Sequence, residues 1–251
     1  SKKAFLQVLN RLCTREKIEE ILYKTDNIFL DYNKNSTENK DNGENIVEEK
    51  VGNITFLKGN LYNHEVVLVE SGIGKVNSSI TATLLINKYN VDYVLFSGVA
   101  GSTDKRISVG DVVIGTDLVQ HDMDVREFGL EKGQIPRMDE WKFKASKELL
   151  QASRDVKIKG HKIFYGRIIS GDQFISGKEN KVNLGEEFDA LCVDMESASV
   201  AQTCYQLGKK FLIVRSISDS VTDETTMEYS EFVHLGANNS KKIIESLLKN
   251  I

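Results

Sequence analysis

Residues Lys209 to Asp219 read KKFLIVRSISD. The part from Phe211 to Ile217 has no glycine or proline and is rich in β-branched side chains, so it reads as a strand. Its apolar residues do not alternate with polar ones, which marks a strand covered on both faces. Val91–Ser97 (VDYVLFS) has the same character. Further strand-like runs are Ala4–Leu9, Asn53–Leu57, Glu65–Glu70, Asp111–Val119, Lys162–Ser170 and Leu191–Met195. Helical patterns lie between them at Arg15–Tyr23, Val76–Lys88, Ala145–Ser153, Ser197–Leu207 and Tyr229–Lys249. In SKKIIESLL (Ser240–Leu248), Ile243, Ile244, Leu247 and Leu248 fall on one stripe. This mixture predicts an α/β fold with a mixed or mainly parallel sheet wrapped by helices. Such sheets bind ligands in crevices at the carboxyl ends of strands. Strand ends are therefore where chemistry is sought.

Composition narrows the classes. The chain has 251 residues, 40% hydrophobic and 28% charged, enough to bury a sizeable core in one domain spanning 1–251. Lys and Arg number 33 against 37 Asp and Glu, a net charge of −4. That balance disfavours nucleic acid as a partner, because gripping phosphates needs dense positive charge. One proline, Pro136, argues against a proline-rich linker. Cys13, Cys192 and Cys204 are too scattered for a disulfide framework and read as small core residues. No apolar run approaches the ~20 residues of a membrane-spanning helix. The segment 33–50 (NKNSTENKDNGENIVEEK) has little apolar surface to bury and reads as a mobile loop or the tip of a long hairpin.

Five strand ends stand out. SGIGKV (Ser71–Val76) precedes a helix, and its glycines allow a tight turn beside free helix N–H groups. FSGVAGS (Phe96–Ser102), with Val99, Ala100 and Gly101, is small enough for a ligand to lie against its backbone; an ordinary turn reads equally well. SGDQFI (Ser170–Ile175) offers Phe174 for stacking on an aromatic base and backbone groups for its edge. VDMES (Val193–Ser197) ends an apolar strand with Asp194 and Glu196, costly there unless partnered or functional. A carboxylate at that place suits sugar hydroxyls; helix capping is the competing reading. RSISD (Arg215–Asp219) supplies Asp219 as a candidate general acid or base and Arg215 for an anion or a bound water. Together they point to one composite pocket. His121-Asp-Met-Asp124 has no second histidine at ligand spacing, so a metal site is not expected.

In this order, SGIGKVNSS, FSGVAGS, GDVVIGTDLVQHDMDV, SGDQF, VDMESASVA and RSISD resemble the 5′-methylthioadenosine/S-adenosylhomocysteine nucleosidases, within the purine nucleoside phosphorylase-like superfamily. The resemblance runs from about Asn53 to the carboxyl end. It implies a three-layer αβα sandwich with a central mixed, largely parallel sheet. It implies hydrolysis of the N-glycosidic bond of adenine thionucleosides by a homodimer that uses no metal or organic cofactor. It also implies a cytoplasmic location, with export or a surface location left open.

Residue by residue, the resemblance makes Asp219, held by Ser218, the acid that protonates adenine N7. Phe174 stacks on the base and the Ile175 backbone meets its edge. Met195 and Glu196 contact the ribose, and Arg215 helps order the attacking water. Ile73 and Tyr229 line the alkylthio pocket. Phe128 and Pro136 correspond to residues lent by the partner subunit. Val99 stands where many members have Ser. The amino terminus departs from the family. The usual apolar strand ending in Gly-Ala-Met is replaced by AFLQVLNRLCTREKIEEIL. Glu16 is the nearest counterpart of the water-activating glutamate, with Glu19 and Glu20 as rivals.

The chemistry requires Asp219 to carry a proton when it acts, which predicts a pKa raised by burial. Three other readings stay open: a hydrolase of aminodeoxyfutalosine, a phosphate-dependent phosphorylase of the same fold, and a polysaccharide-binding surface protein. The glycine-rich loops contain no Arg to hold phosphate, which favours water as the nucleophile.

Overall fold

A computed structural model describes residues 27–32, 47–61, 64–222, 239 and 242–251. The expected strand Ala4–Leu9 and helix Arg15–Tyr23 lie outside these residues, as do Glu16, Glu19, Glu20, Tyr229 and positions 33–46. The described elements are β1 (Asn27–Tyr32), β2 (Val47–Val51), β3 (Ile54–Leu61), β4 (His64–Glu70) and α1 (Lys75–Tyr89). Then come β5 (Tyr93–Ser102), β6 (Val112–Gln120), β7 (Phe143–Lys144), α2 (Lys147–Ala152), β8 (Ile163–Ser170), α3 (Lys178–Phe188), β9 (Ala190–Asp194), α4 (Ser197–Gln206) and β10 (Lys210–Asp219). A further helix covers 242–250.

The α/β class is as expected, and all the described strands belong to one mixed sheet. Its parallel pairs are β5–β10, β6–β8 and β8–β9. Elsewhere the pairing is antiparallel, so the sheet is less parallel than its apolar strands suggest. Part of the reason lies in the connections: β2 and β3 are joined by the two-residue turn Gly52–Asn53, which only antiparallel neighbours allow, and β3 pairs antiparallel with β4. The segment 33–50 thus ends in a strand, since β2 begins at Val47.

Five strands form a closed circuit. β5 pairs β10, β10 pairs β6, β6 pairs β8, β8 pairs β9, and β9 returns to β5. Closure satisfies their backbone groups and removes free edges. It also gathers strand ends: Ser170 lies opposite Asp194, Val193 opposite Gly101, and Gly101 opposite Asp219. The β5–β10 register shifts between Ile217 and Asp219, leaving Ser218 as an extra residue. Such a bulge re-aims the side chain that follows it. FSGVAGS is accordingly the extended end of β5 and not a turn.

The core is built from the runs singled out in the sequence. Phe211, Leu212, Ile213 and Val214 are buried, as are Val94, Leu95 and Phe96. Ile243, Ile244, Leu247 and Leu248 of the 242–250 helix are all buried, as their stripe predicts. Helix α1 meets α4 through small polar residues, with Ser78 Oγ 2.7 Å from Ser199 Oγ. Cys192 and Cys204 are buried free thiols, the core role expected of them. No described helix is long and apolar enough to cross a membrane.

Candidate active site

The centre of the site is a charge pair inside the sheet. Arg215, fully buried on β10, forms an ion pair with Asp194, its Nε lying 2.6 Å from Asp194 Oδ2. Its guanidinium lies 4.3 Å from the Phe96 ring centroid. Asp194, at the end of β9, accepts further bonds from Ser170 Oγ and Ser197 Oγ. The backbone N–H groups of Glu196 and Ser197 also donate to it, at 3.2 and 3.1 Å. Ser197 Oγ in turn accepts from Arg215 Nε at 2.8 Å. A carboxylate offers about four lone-pair positions. Protein donors therefore occupy the acceptor capacity of Asp194. Asp194 accepts the backbone N–H groups at the start of α4, as the capping reading has it, and its carboxylate faces these protein donors.

Glu196 is free of that duty. It occupies the N-cap position of α4, with no side-chain capping bond. Its Oε1 accepts from the Gly74 N–H at 2.9 Å, and its Oε2 lies 3.8 Å from Arg215 Nη2. It is 5% exposed. A buried carboxylate is thus held between an arginine and the glycine turn before α1. Gly74 adopts φ +89°, the left-handed region that favours glycine, and a Cβ there would stand 3.1 Å from Asp172 Oδ1. Met195, beside Glu196, is partly buried.

Asp219 stands at the end of β10 beside Gly101. Any Cβ at Gly101 would lie 3.1 Å from both carboxylate oxygens. Ser218 Oγ donates to Asp219 Oδ1 at 3.2 Å and to the Ala100 carbonyl at 3.4 Å. The partnership of Ser218 with Asp219 is therefore present. The burial expected for Asp219 is not: its side chain is 42% exposed, and the Lys181 ammonium pairs with it. Lys181 comes from α3, and burial lowers its own pKa from the ordinary lysine value. Nothing in the sequence signalled this neighbour, because α3 (KENKVNLGEEF) carries only a faint apolar stripe.

The remaining candidate residues differ in exposure. Phe174 is 79% exposed and Ile175 partly buried, on the loop after β8. A cavity of about 440 Å³ opens between this loop and α3, bordered by Asn180, Asn183 and Leu184. Ile73 is 61% exposed at the glycine turn, and Val99 is partly buried on β5. Phe128 projects from a single 3₁₀ turn at 82% exposure, and Pro136 is exposed. Asp122 and Asp124 are each paired with a cation, Lys75 at 2.8 Å and Arg126 at 2.6 Å. Sequence reading also missed the two serines on Asp194, since a lone serine carries no pattern.

With this geometry in place, comparison gives the class. Residues 33–249 match the phosphorylase superfamily, and the chain belongs to it. Within it, the chain belongs to the 5′-methylthioadenosine/S-adenosylhomocysteine nucleosidases. The nucleosidase of Staphylococcus haemolyticus is 39% identical over 212 residues, covering 84% of this chain and 92% of that protein. The one from an Exiguobacterium species is 39% identical over 208 residues, covering 82% and 89%. The crystal structure of the Neisseria meningitidis nucleosidase in complex with methylthio-immucillin-A superposes with a TM-score of 0.77. It is 34% identical and covers 83% of this chain and 91% of that one.

The buried pair makes a stability prediction. Asp194→Asn removes the carboxylate 2.6 Å from Arg215 Nε, and losing one member of a buried pair costs about 3–5 kcal/mol. Urea denaturation is expected to show that loss. An unchanged midpoint would mean the pair does not hold β9 and β10 in place.

Proposed function

We infer that this chain hydrolyses the N-glycosidic bond of 5′-methylthioadenosine and S-adenosylhomocysteine, releasing adenine and the thioribose product. The observation that carries this reading is the position of two carboxylates, Glu196 and Asp219, at one gathered set of strand ends in a chain of nucleosidase family. Bond cleavage builds positive charge on the sugar and negative charge on the departing base. Glu196, presented by the Gly74 N–H, accepts from the ribose hydroxyls and offsets the first. Asp219 protonates adenine N7 and relieves the second. Phe174 stacks on the base, the Ile175 backbone meets its edge, and Met195 packs on the ribose. Arg215 acts through Glu196 to orient the water. Ile73 lines the alkylthio pocket with Tyr229, and Glu16 is the nearest candidate to activate the water. Asp194 serves as the anchor of Arg215. The division between a proton-giving and a water-activating carboxyl follows the logic of glycoside hydrolysis.

The active form in this reading is a dimer of single-domain subunits. Val76 and Ile80, four residues apart on α1, are 68% and 49% exposed, and Ile73 adjoins them. Contiguous exposed apolar residues of this kind mark an interaction surface. Phe128 and Pro136 of each subunit reach the other's alkylthio end.

Three measurements check this. Purified protein is expected to release adenine from both thionucleosides without phosphate, and Asp219→Asn to lower kcat by at least about 100-fold. Near wild-type turnover in that variant would remove Asp219 from the mechanism. Lys181→Met removes the ammonium that pairs with Asp219 and is expected to alter kcat/KM by about threefold or more; unchanged kinetics would show that the pair has no part in turnover. Light scattering is expected to give twice the 28.2 kDa chain mass. A monomer with full activity would overturn the shared site.

A further inference from the structure

The start of α1 and the segments after β6 and β8 are tied by a closed ring of hydrogen bonds that the chemistry above does not use. The Lys75 N–H donates to Asp172 Oδ1 at 2.7 Å. The Asp172 N–H donates to Asp122 Oδ2 at 2.9 Å. Asp122 Oδ1 accepts from Lys75 Nζ at 2.8 Å, closing the ring. Lys75 Nζ also donates to Gln120 Oε1 at 2.9 Å, and Gln120 Nε2 donates to Gln202 Oε1 on α4. The side chains of Lys75 and Asp122 are 20% and 15% exposed, so solvent screens the pair only in part. Burial pushes the Asp122 carboxyl up, but the Lys75 ammonium and the Asp172 N–H outweigh it and hold it below the usual aspartate range.

Each corner of the ring belongs to a different part of the site. Lys75 follows Gly74, whose N–H holds Glu196. Asp172 precedes Phe174 by two residues. Asp122 follows β6, which pairs with β8 along Leu118–Gln120. The ring therefore links the turn that holds Glu196 to the segment that carries Phe174. We propose that Lys75 is a positioning residue for the hydrolysis: through Asp122 and Asp172 it sets the registry of ribose against base. It touches no reacting atom. This rests on the nucleosidase reading above.

The registry matters only for a ligand that spans both halves. Free adenine engages the base side alone, whereas methylthioadenosine must satisfy both. The test compares wild type, Lys75→Met, Lys75→Arg, Asp122→Asn and the Lys75→Met/Asp122→Asn double variant in the full chain. It measures phosphate-free methylthioadenosine turnover, adenine affinity and thermal midpoint. A misplacement near 1 Å costs on the order of 100-fold, so Lys75→Met is expected to lose about that much in kcat/KM. Adenine affinity is expected to stay within about threefold, and Lys75→Arg to recover part of the loss. The double variant is expected to be no worse than Lys75→Met, because both remove the same link.

Kinetics within about threefold of wild type in Lys75→Met overturn the proposal. So does a parallel loss of adenine affinity and turnover, which marks general damage to the fold. If Lys75→Met does not fold, Asp122→Asn carries the same comparison, since it breaks the ring without removing the lysine. A wild-type protein that releases no adenine defeats the nucleosidase reading itself, a result separate from any variant's behaviour.

Discussion

The buried Arg215–Asp194 pair is the constraint on which the site depends. A guanidinium with no exposed surface must be answered by a carboxylate and by hydrogen bonds, or desolvation would expel it. The partners come from four elements: Asp194 ends β9, Ser170 ends β8, Ser197 begins α4, and Arg215 lies within β10. Ser170 Oγ also accepts from the Ala198 N–H at 2.8 Å, locking the start of α4 to β8. With these fixed, Glu196 has little choice of direction. Its oxygens face the Gly74 N–H and the arginine. One internal ion pair thus places a carboxylate that makes no capping bond of its own.

Sheet closure does the rest of the assembly. β9 and β10 do not pair with each other; both pair with β5. The carboxyl ends of β5, β8, β9 and β10 therefore meet without long connections. The bulge at Ser218 then turns Asp219 toward Gly101, where the lack of a Cβ leaves room for the carboxylate. Asp219 meets Lys181 and solvent there, in contrast with the sealed surroundings of Glu196. The two carboxylates consequently sit in unlike environments.

Much of this was readable beforehand. Long apolar runs such as KKFLIVRSIS and VDYVLFS gave strands covered on both faces because burial on two sides leaves no periodicity to mistake. The 242–250 helix was legible because its four apolar residues share one stripe. The short elements were not. β1 (NIFLDY) has polar neighbours, and β2 (VEEKV) is mostly charged; both exist because β3, β4 and β5 offer them hydrogen bonds. Helix α3 buries only Lys181, Gly185 and Phe188, too weak a pattern for its period to show. Parallel or antiparallel pairing was equally hidden, since a strand's own composition does not record its neighbour's direction.

The sequence by itself determined which long apolar runs are buried, where those strands end, and that carboxylates, glycines and an aromatic lie at those ends. These are properties of local composition and spacing. Only the tertiary structure decided how the carboxylates divide their work. Asp194 and Glu196 are two residues apart and chemically alike, yet one is consumed by Ser170, Ser197 and Arg215 while the other faces the glycine turn. That difference comes from strands and helices distant in the chain, and so does the pairing of Asp219 with Lys181. A side chain's identity is local; the donors that reach it are set by which strand ends the closed sheet brings together.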